Sequence, residues 1–226
     1  MIEGSLDVMA SRGVNRLGGK DFDEKIVDEM LAFLHSEYGV NLDDELQATE
    51  RLKVLGRIKE EAEKAKIELS SAMSVYIELP FLLQKDGEII NFEMELTRTR
   101  YEQLIEGYIQ QSFDTANEAL KAAGLTPTDI DIVLAVGGSS RTPIIIDRLK
   151  RIFGDKLRGG INPDEAVALG AAVQAGINKN EISGDNAIAI FDVCNHSLGV
   201  DVVRETNRGL ESGYFSRIIL SDTHLP

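Results

Sequence analysis

The chain has 226 residues, 43% hydrophobic and 27% charged, an ordinary composition for a globular protein with material for a real core. A formal net charge of −14 argues against a sequence-independent nucleic-acid binder, which needs clustered Lys and Arg for phosphate contacts. Cys194 is the single cysteine, so no intrachain disulfide is expected, and no apolar run approaches the roughly 20 residues that span a bilayer. The opening MIEGSLDVMASRG lacks a basic start followed by an apolar stretch, so no secretory signal is read there. Neither nucleic acid nor membrane is an expected partner, and the cytoplasm is the expected compartment.

Ser5 to Ala10 alternates Leu6, Val8 and Ala10 and is expected as a short strand, with Gly13 marking the turn after it. A helix is expected from Phe22 to about Tyr38. Asp21 is the expected N-cap with Glu24 three residues on, Phe22, Ile26, Met30, Phe33 and Leu34 are the apolar face, and Gly39 is the stop. A longer helix, about Glu45 to Ser71, carries the stripe Leu52, Leu55, Ile58, Ala62, Ala65 and Leu69. The period then switches to alternation: Val75, Ile77 and Leu79 form one strand face and Ile90, Phe92, Met94 and Leu96 another. Asp86-Gly87 between them predicts a hairpin.

A second long helix is expected from about Arg100 to Ala123, with Leu104, Ile105, Tyr108, Phe113 and Leu120 inward and Gly124 ending it. Ile132 to Val136 is a continuous apolar run of the kind buried on both faces in a sheet. After Gly137-Gly138-Ser139-Ser140 a helix opens at Pro143. Another starts near Pro163, with Asn162 as cap and Glu165 at the capping-box position, and ends near Gly176. Asn178 to Asp185 is a polar loop, Ile188 to Val193 a linker or strand, and Leu198 to Val203 and Tyr214 to Leu220 are strand-like. The pattern is α/β with a mixed sheet, long helices and a short β tail.

Four segments could carry chemistry. In VLAVGGSSRTP, a strand runs through Gly137 and Gly138 toward a helix N-terminus. The glycines admit a flat ligand or phosphate, Ser139 and Ser140 add hydroxyls, and Arg141 adds a planar cation. A plain strand-to-helix turn explains the same residues. In EEAEKAKIELSS, Glu63, Lys66 and Ser70 share one helix face, offering acid, base and hydroxyl to a polar ligand. A solvated charged face with an i,i+3 ion pair is the simpler alternative. LGGKDFD places Gly18-Gly19 before a capped helix, an anion site or merely a tight turn. In NPDEAVALGAAVQAG the small residues Ala166, Gly170, Ala171 and Gly176 indicate close packing, and Asp164 is a carboxylate at a helix start.

A nucleophile elbow is excluded because Ser139 is followed by Ser140-Arg141. A P-loop is excluded because Asp21 follows Lys20 and no glycine stands at Val14. His35, His196 and His224 are scattered and form no metal-ligand pattern, and Cys194 reads as a small hydrophobe.

The order LGGKDFD, EEAEKAKIELSS, VLAVGGSSRTP, NPDEAVALGAAVQAG resembles that of DnaK-type heat-shock chaperones over nearly the whole chain, most strongly from Leu17 to Gly176. The resemblance implies part of a two-lobed actin-like ATPase domain. Residues 1–177 would be the second lobe only, 178–193 a loop and interdomain linker, and 194–226 a short all-β tail beginning a peptide-binding β-sandwich. It further implies adenine nucleotide, ATP or ADP, with Gly19, Glu63, Lys66, Ser70, Gly137, Gly138, Ser139, Arg141 and Asp164 around it. Full-length members also use magnesium, for which no ligand is identified in this sequence. They work with J-domain and nucleotide-exchange co-chaperones on unfolded peptides.

Three departures stand out. Neither of the family's glycine-rich phosphate loops has a counterpart here, and no catalytic residue is assigned. Arg51-Leu52-Lys53 is echoed by Arg57-Ile58-Lys59, as if about six residues were inserted. Cys194-Asn195-His196 replaces a Thr-Pro-Leu at the linker. The expected product binds nucleotide weakly and does not hydrolyse it alone. A non-catalytic co-chaperone-binding module or a truncated gene product is the alternative.

Overall fold

The structure, a computed structural model, describes residues 5–159, 162–184, 188–207 and 209–225. It divides into two compact units, one comprising residues 15–112 and 137–157, the other residues up to 14, 113–136 and 158 onward. Among the described residues no helix is long and apolar enough to cross a membrane.

The first of these units is built on α1 (Gly19–Tyr38), α3 (Ala48–Glu68), the strands β2 (Ser74–Lys85) and β3 (Glu88–Thr97), most of α4 (Arg98–Ala122) and α5 (Pro143–Phe153), with a single turn, α2 (Leu42–Glu45), ahead of α3. α1 begins earlier than its apolar pattern suggests. Gly18 is the N-cap, and Asp21 lies inside the first turn, where its Oδ2 accepts from the Gly18 N–H at 2.7 Å. The carboxylate reaches back to an N–H that the helix leaves unpaired and sits where the helix dipole favours negative charge. Gly39, at φ 63°, closes the other end.

The long helix is shorter than expected because Leu46 and Gln47, both extended, separate α2 from α3. The buried row of α3 is Val54, Ile58, Ala62 and Ala65, with Leu69 at its C-terminus. Leu52 belongs to the outer face. It lies six residues from Ile58, a spacing that places it well round the helix from the buried row.

The hairpin forms as its turn dictates. Lys85 pairs with Glu88, and Asp86 (φ 52°) and Gly87 (φ 87°) are both left-handed, as a two-residue type I′ turn requires. Val75, Ile77, Leu79, Phe92, Met94 and Leu96 are buried on one face. A bulge between Leu79 and Leu83 turns both Leu82 and Leu83 inward, and it costs a left-handed Phe81 at φ 52°. Arg57 holds it, donating to Pro80 O at 2.7 Å and Phe81 O at 2.9 Å, while the Phe81 N–H donates to Asn91 Oδ1 at 2.8 Å. α4 contributes a straight row, Tyr101, Ile105 and Ile109, to the core of this unit. Each such aliphatic burial stabilises by about 1.5–3 kcal/mol.

In the other unit β1 (Ser5–Asp7) pairs in parallel with β6 (Ala189–Phe191), and the Val8 N–H donates to Phe191 O at 2.9 Å. β7 (Leu198–Thr206) and β8 (Gly209–Ile219) form an antiparallel hairpin. A Cβ on Gly199 would lie 2.1 Å from Ser216 O, so only glycine fits that bulge. The apolar run at 132–136 yields only β4 (Val133–Leu134), and Ile132, Leu134 and Val136 are exposed rather than buried on both faces. Each sheet among the described residues has two strands, so the expected single mixed sheet is seen as separate pairings.

The helix expected near Pro163 starts later, as α6 (Ala166–Asn178). Asn162 still opens it, its Oδ1 accepting from Asp164 N–H at 3.2 Å and its carbonyl accepting from Ala166 N–H at 3.0 Å. Close packing is realised at Gly176, where a Cβ would lie 2.9 Å from Ile182 Cδ1, but not at Gly170, which faces open space. Of the loop expected at 178–185, Asp185 lies outside the described residues.

Candidate functional site

Three of the residues singled out in the sequence meet at one point in the first unit described. Gly19 is the first residue of α1, and a Cβ built on it would lie 3.0 Å from Ser139 Oγ and 3.4 Å from Lys66 Nζ. The missing side chain is what allows a hydroxyl and an ammonium from two other segments to approach this backbone. Lys66, in the last turn of α3, also donates to Gly19 O at 3.3 Å.

Sequence reasoning missed the fourth member. Lys66 Nζ lies 2.7 Å from Asp23 Oδ1, and both side chains are mostly buried. Burial pushes the Asp23 carboxyl up from its ordinary range, and Lys66 opposes that without cancelling it. Asp23 Oδ1 is fully buried and its contact with the ammonium is not aligned as a hydrogen bond, so the attraction is an ion pair. Asp23 and Lys66 stand far apart along the chain, on different helices, with no local pattern to link them.

Glu63 on α3 and Ser70, just past its C-terminal end, flank this point. Ser70 Oγ contacts its own helix at Lys66 O, 3.4 Å away. Glu63 is exposed and opens into a cleft of about 270 Å³ lined also by Lys20, Asp23, Glu24, Val27, Lys59 and Glu60. That lining is more acidic than basic. It suits hydroxyl and amine donors better than a polyphosphate.

Gly137 holds φ 84° and ψ 152°, a conformation open only to glycine. It leads into a 3-10 turn, Gly138–Arg141, rather than straight into a helix, and α5 begins at Pro143. Ser140 closes the turn twice on Gly137 O, from its N–H at 3.1 Å and its Oγ at 2.7 Å. Gly137 and Gly138 are exposed, as is Arg141, which is engaged in an interaction of its own. Asp164 belongs to the other unit, exposed, in the turn before α6. The structure thus brings together Gly19, Lys66 and Ser139, sets Glu63 and Ser70 one turn either side of Lys66, and places Asp164 apart from them in the division into units.

An α/β chain that converges a glycine helix start and a Gly-Gly-Ser-Ser turn on one lysine has the make-up of a polar-ligand cradle. The sequence model of the Hsp70 protein family matches residues 1–212 of the 226, so the chain belongs to the Hsp70 family, one of chaperone-type ATPases with an actin-like fold. That family binds ATP or ADP with magnesium. The bare Gly19 α-carbon beside an ammonium and a hydroxyl fits the approach of a nucleotide. Among the described residues no group of three or more His, Cys, Asp or Glu could hold a metal ion.

Proposed function

We propose that this chain is the nucleotide-facing second lobe of a DnaK-type chaperone ATPase, residues 1–177, followed by a linker at 178–193 and the first strands of a peptide-binding domain at 194–226. In this reading Gly19, Lys66 and Ser139 hold the nucleoside and its nearest phosphate. Glu63 and Ser70 hydrogen-bond the adenosine, and Gly137, Gly138 and Arg141 cover its base and ribose. The observation that carries it is the approach of Ser139 and Lys66 to the bare α-carbon of Gly19. Magnesium would neutralise phosphate charge when bound with ATP, and no residue of this chain is assigned to it.

The cradle offers one ammonium, already paired with Asp23, so affinity for ADP is expected in the ~mM range, about −4 kcal/mol. These 226 residues alone are expected not to hydrolyse ATP, because phosphoryl transfer needs positioned cations and phosphate-binding backbone around the γ-phosphate. Titration calorimetry with ADP tests the reading. Lys66→Ala and Gly138→Val each abolish the heat if it is right, and no heat from the unmodified chain at saturating ADP ends it.

One observation favours a second reading, a module that docks a co-chaperone. Tyr76 and Phe81 lie 71% and 70% exposed on the outward side of the β2–β3 hairpin, where Glu78 stands directly opposite Glu93. Exposed aromatics beside a like-charge pair suit a basic partner with apolar pockets. Binding of a purified exchange factor that is lost on Phe81→Ala, with no ADP heat, selects this reading over the first.

A further inference from the structure

The echo of Arg51-Leu52-Lys53 in Arg57-Ile58-Lys59 has no place in the nucleotide reading, and the two arginines do different work in the fold. Arg57 holds the Phe81 bulge. Six residues turn a helix through about 600°, so Arg51 leaves α3 on another face, where Leu55 stands one turn on. These two residues wall a cavity of about 620 Å³, whose other apolar sides are Leu31 and Ala32 of α1 and Val40 and Leu42 after it. That volume lies within the roughly 300–1,000 Å³ of small-ligand sites and exceeds the cleft beside Glu63.

The polar groups of the cavity are His35, Asn41, Asp43 and Arg51. Asn41 is committed to the start of α2: its Oδ1 accepts from the Asp43 N–H at 3.2 Å and its Nδ2 donates to Asp44 Oδ2 at 2.6 Å. Arg51 is only half committed. Its Nη1 donates to Asp43, but its Nε–H is buried with no acceptor among the described residues. Asp43 is a loose partner, with a side chain 70% exposed, and an ion pair so open to water contributes little. A guanidinium with an unmet donor calls for an acceptor that can take two N–H groups from one edge.

We propose that this cavity binds a small amphipathic monocarboxylic acid, with its apolar body against Leu31, Val40, Leu42 and Leu55 and its carboxylate on Arg51 in place of Asp43. A carboxylate entering there turns the head group so that Nε and one Nη meet its two oxygens side by side, the strong bidentate form of this contact. Asp43 then returns to water, which its exposure makes easy. Asp43, Asp44 and Glu45 in the α2 turn repel a second anionic group, so a dicarboxylate is disfavoured. The site shares no residue with the Gly19, Lys66 and Ser139 cradle and does not depend on the nucleotide reading.

The test titrates octanoate and 1-octanol, alike in chain length and different in charge, into the full 226-residue chain, read by the methyl resonances of Leu31, Val40 and Leu55. Octanoate is expected to shift these methyls and to bind at least about tenfold more tightly than octanol, the scale of one charge-assisted hydrogen bond. Octanedioate binds more weakly than octanoate. Arg51→Gln brings octanoate down to the level of octanol. Asp43→Asn removes the competing carboxylate and tightens octanoate, while the backbone N–H that Asn41 caps is kept. Ala32→Phe, at an exposed position of the wall, fills the cavity and removes binding of both probes.

Methyls unmoved by either probe overturn the proposal, as does octanol that binds as tightly as octanoate. So does octanoate binding that Arg51→Gln leaves unchanged. Should Arg51→Gln unravel the start of α3, seen as lost helical dichroism, Asp43→Asn decides: tighter octanoate binding supports the site, and equal or weaker binding overturns it.

Discussion

Lys66 ties α3 to α1: its ammonium lies 2.7 Å from Asp23 Oδ1 and 3.3 Å from the carbonyl of Gly19. Both side chains of the pair are less than one fifth exposed, at 17% and 18%. One side chain therefore both joins two core helices and forms a wall of the cradle.

Lys66→Ala leaves the Asp23 carboxylate without its counter-ion. Removing one partner of a buried pair costs more than removing both, because the remaining charge is stranded. With some solvent access the expected loss is about 1–3 kcal/mol, measured as a lower urea midpoint. The double variant Lys66→Ala/Asp23→Asn is expected to recover part of that loss. A double variant as unstable as the two singles added together would show that the pair is not coupled.

The Asp23 carboxyl predicts a direction with pH. Burial raises its folded-state pKa above the unfolded value of about 3.9, so the folded chain holds that proton more tightly than the unfolded chain does. The ionised form is the penalised one. As pH falls from neutrality through the raised value toward 3.9, the unmodified chain is expected to gain stability relative to Asp23→Asn, which has no proton to take up. Parallel unfolding midpoints for the two chains across pH 4 to 7 would contradict it.

What could be read from the sequence follows the range of each interaction. The hairpin turn at Asp86-Gly87 and the stop at Gly39 were legible because their backbone requirements are local. The shared helix face was legible from spacing for Glu63 and Lys66, whereas Ser70 falls just past the end of α3. The start of α1 was misplaced because a carboxylate three residues inside a helix and one at its cap give the same local pattern. Leu52 was misassigned because a stripe of threes and fours can begin on either side of the buried row. The Phe81 bulge was invisible because Arg57, 24 residues earlier, is what holds it. The Lys66–Asp23 pair and the β1–β6 pairing depend on tertiary packing that no local pattern encodes.

Gly137 allows a direct test of the turn. At φ 84° and ψ 152° an alanine is strained whatever space surrounds it, and nothing lies within 4 Å of where its Cβ would go. The penalty is therefore conformational, about 1–3 kcal/mol for so sparsely populated a region. Gly137→Ala is expected to lower stability by that amount or to release the turn and lose ADP binding. Gly138→Ala, already inside the 3-10 turn, should not carry that backbone penalty in unfolding. Equal behaviour of the two variants in unfolding would mean that the backbone of Gly137 is not what shapes the turn.

A long-range ion pair acts in the unit that holds β1 and β6. Arg12 grips Asp222 with two parallel hydrogen bonds, both 2.7 Å, across 210 residues. Around that grip Cys194 N–H donates to Thr223 O at 2.9 Å and Leu225 N–H to Asp192 O at 2.8 Å, with Val193 buried between. The hydrogen bonds from Arg12 hold the Asp222 carboxyl below the usual carboxylate range, outweighing the opposite effect of its partial burial. A depressed folded-state pKa means that the contribution is present above the unfolded value of about 3.9 and is lost as pH falls through the folded value. Protection of the Cys194 and Leu225 amides, after correction for the intrinsic rate, is therefore expected to persist to pH 4 and to fade below it. In Arg12→Ala the Asp222 carboxyl returns toward its ordinary range and the same protection is weak at every pH. If the Asp222 carboxyl titrates at an ordinary value in the unmodified chain, or the two amides are equally protected without Arg12, the bidentate pair does not hold the ends of this unit together.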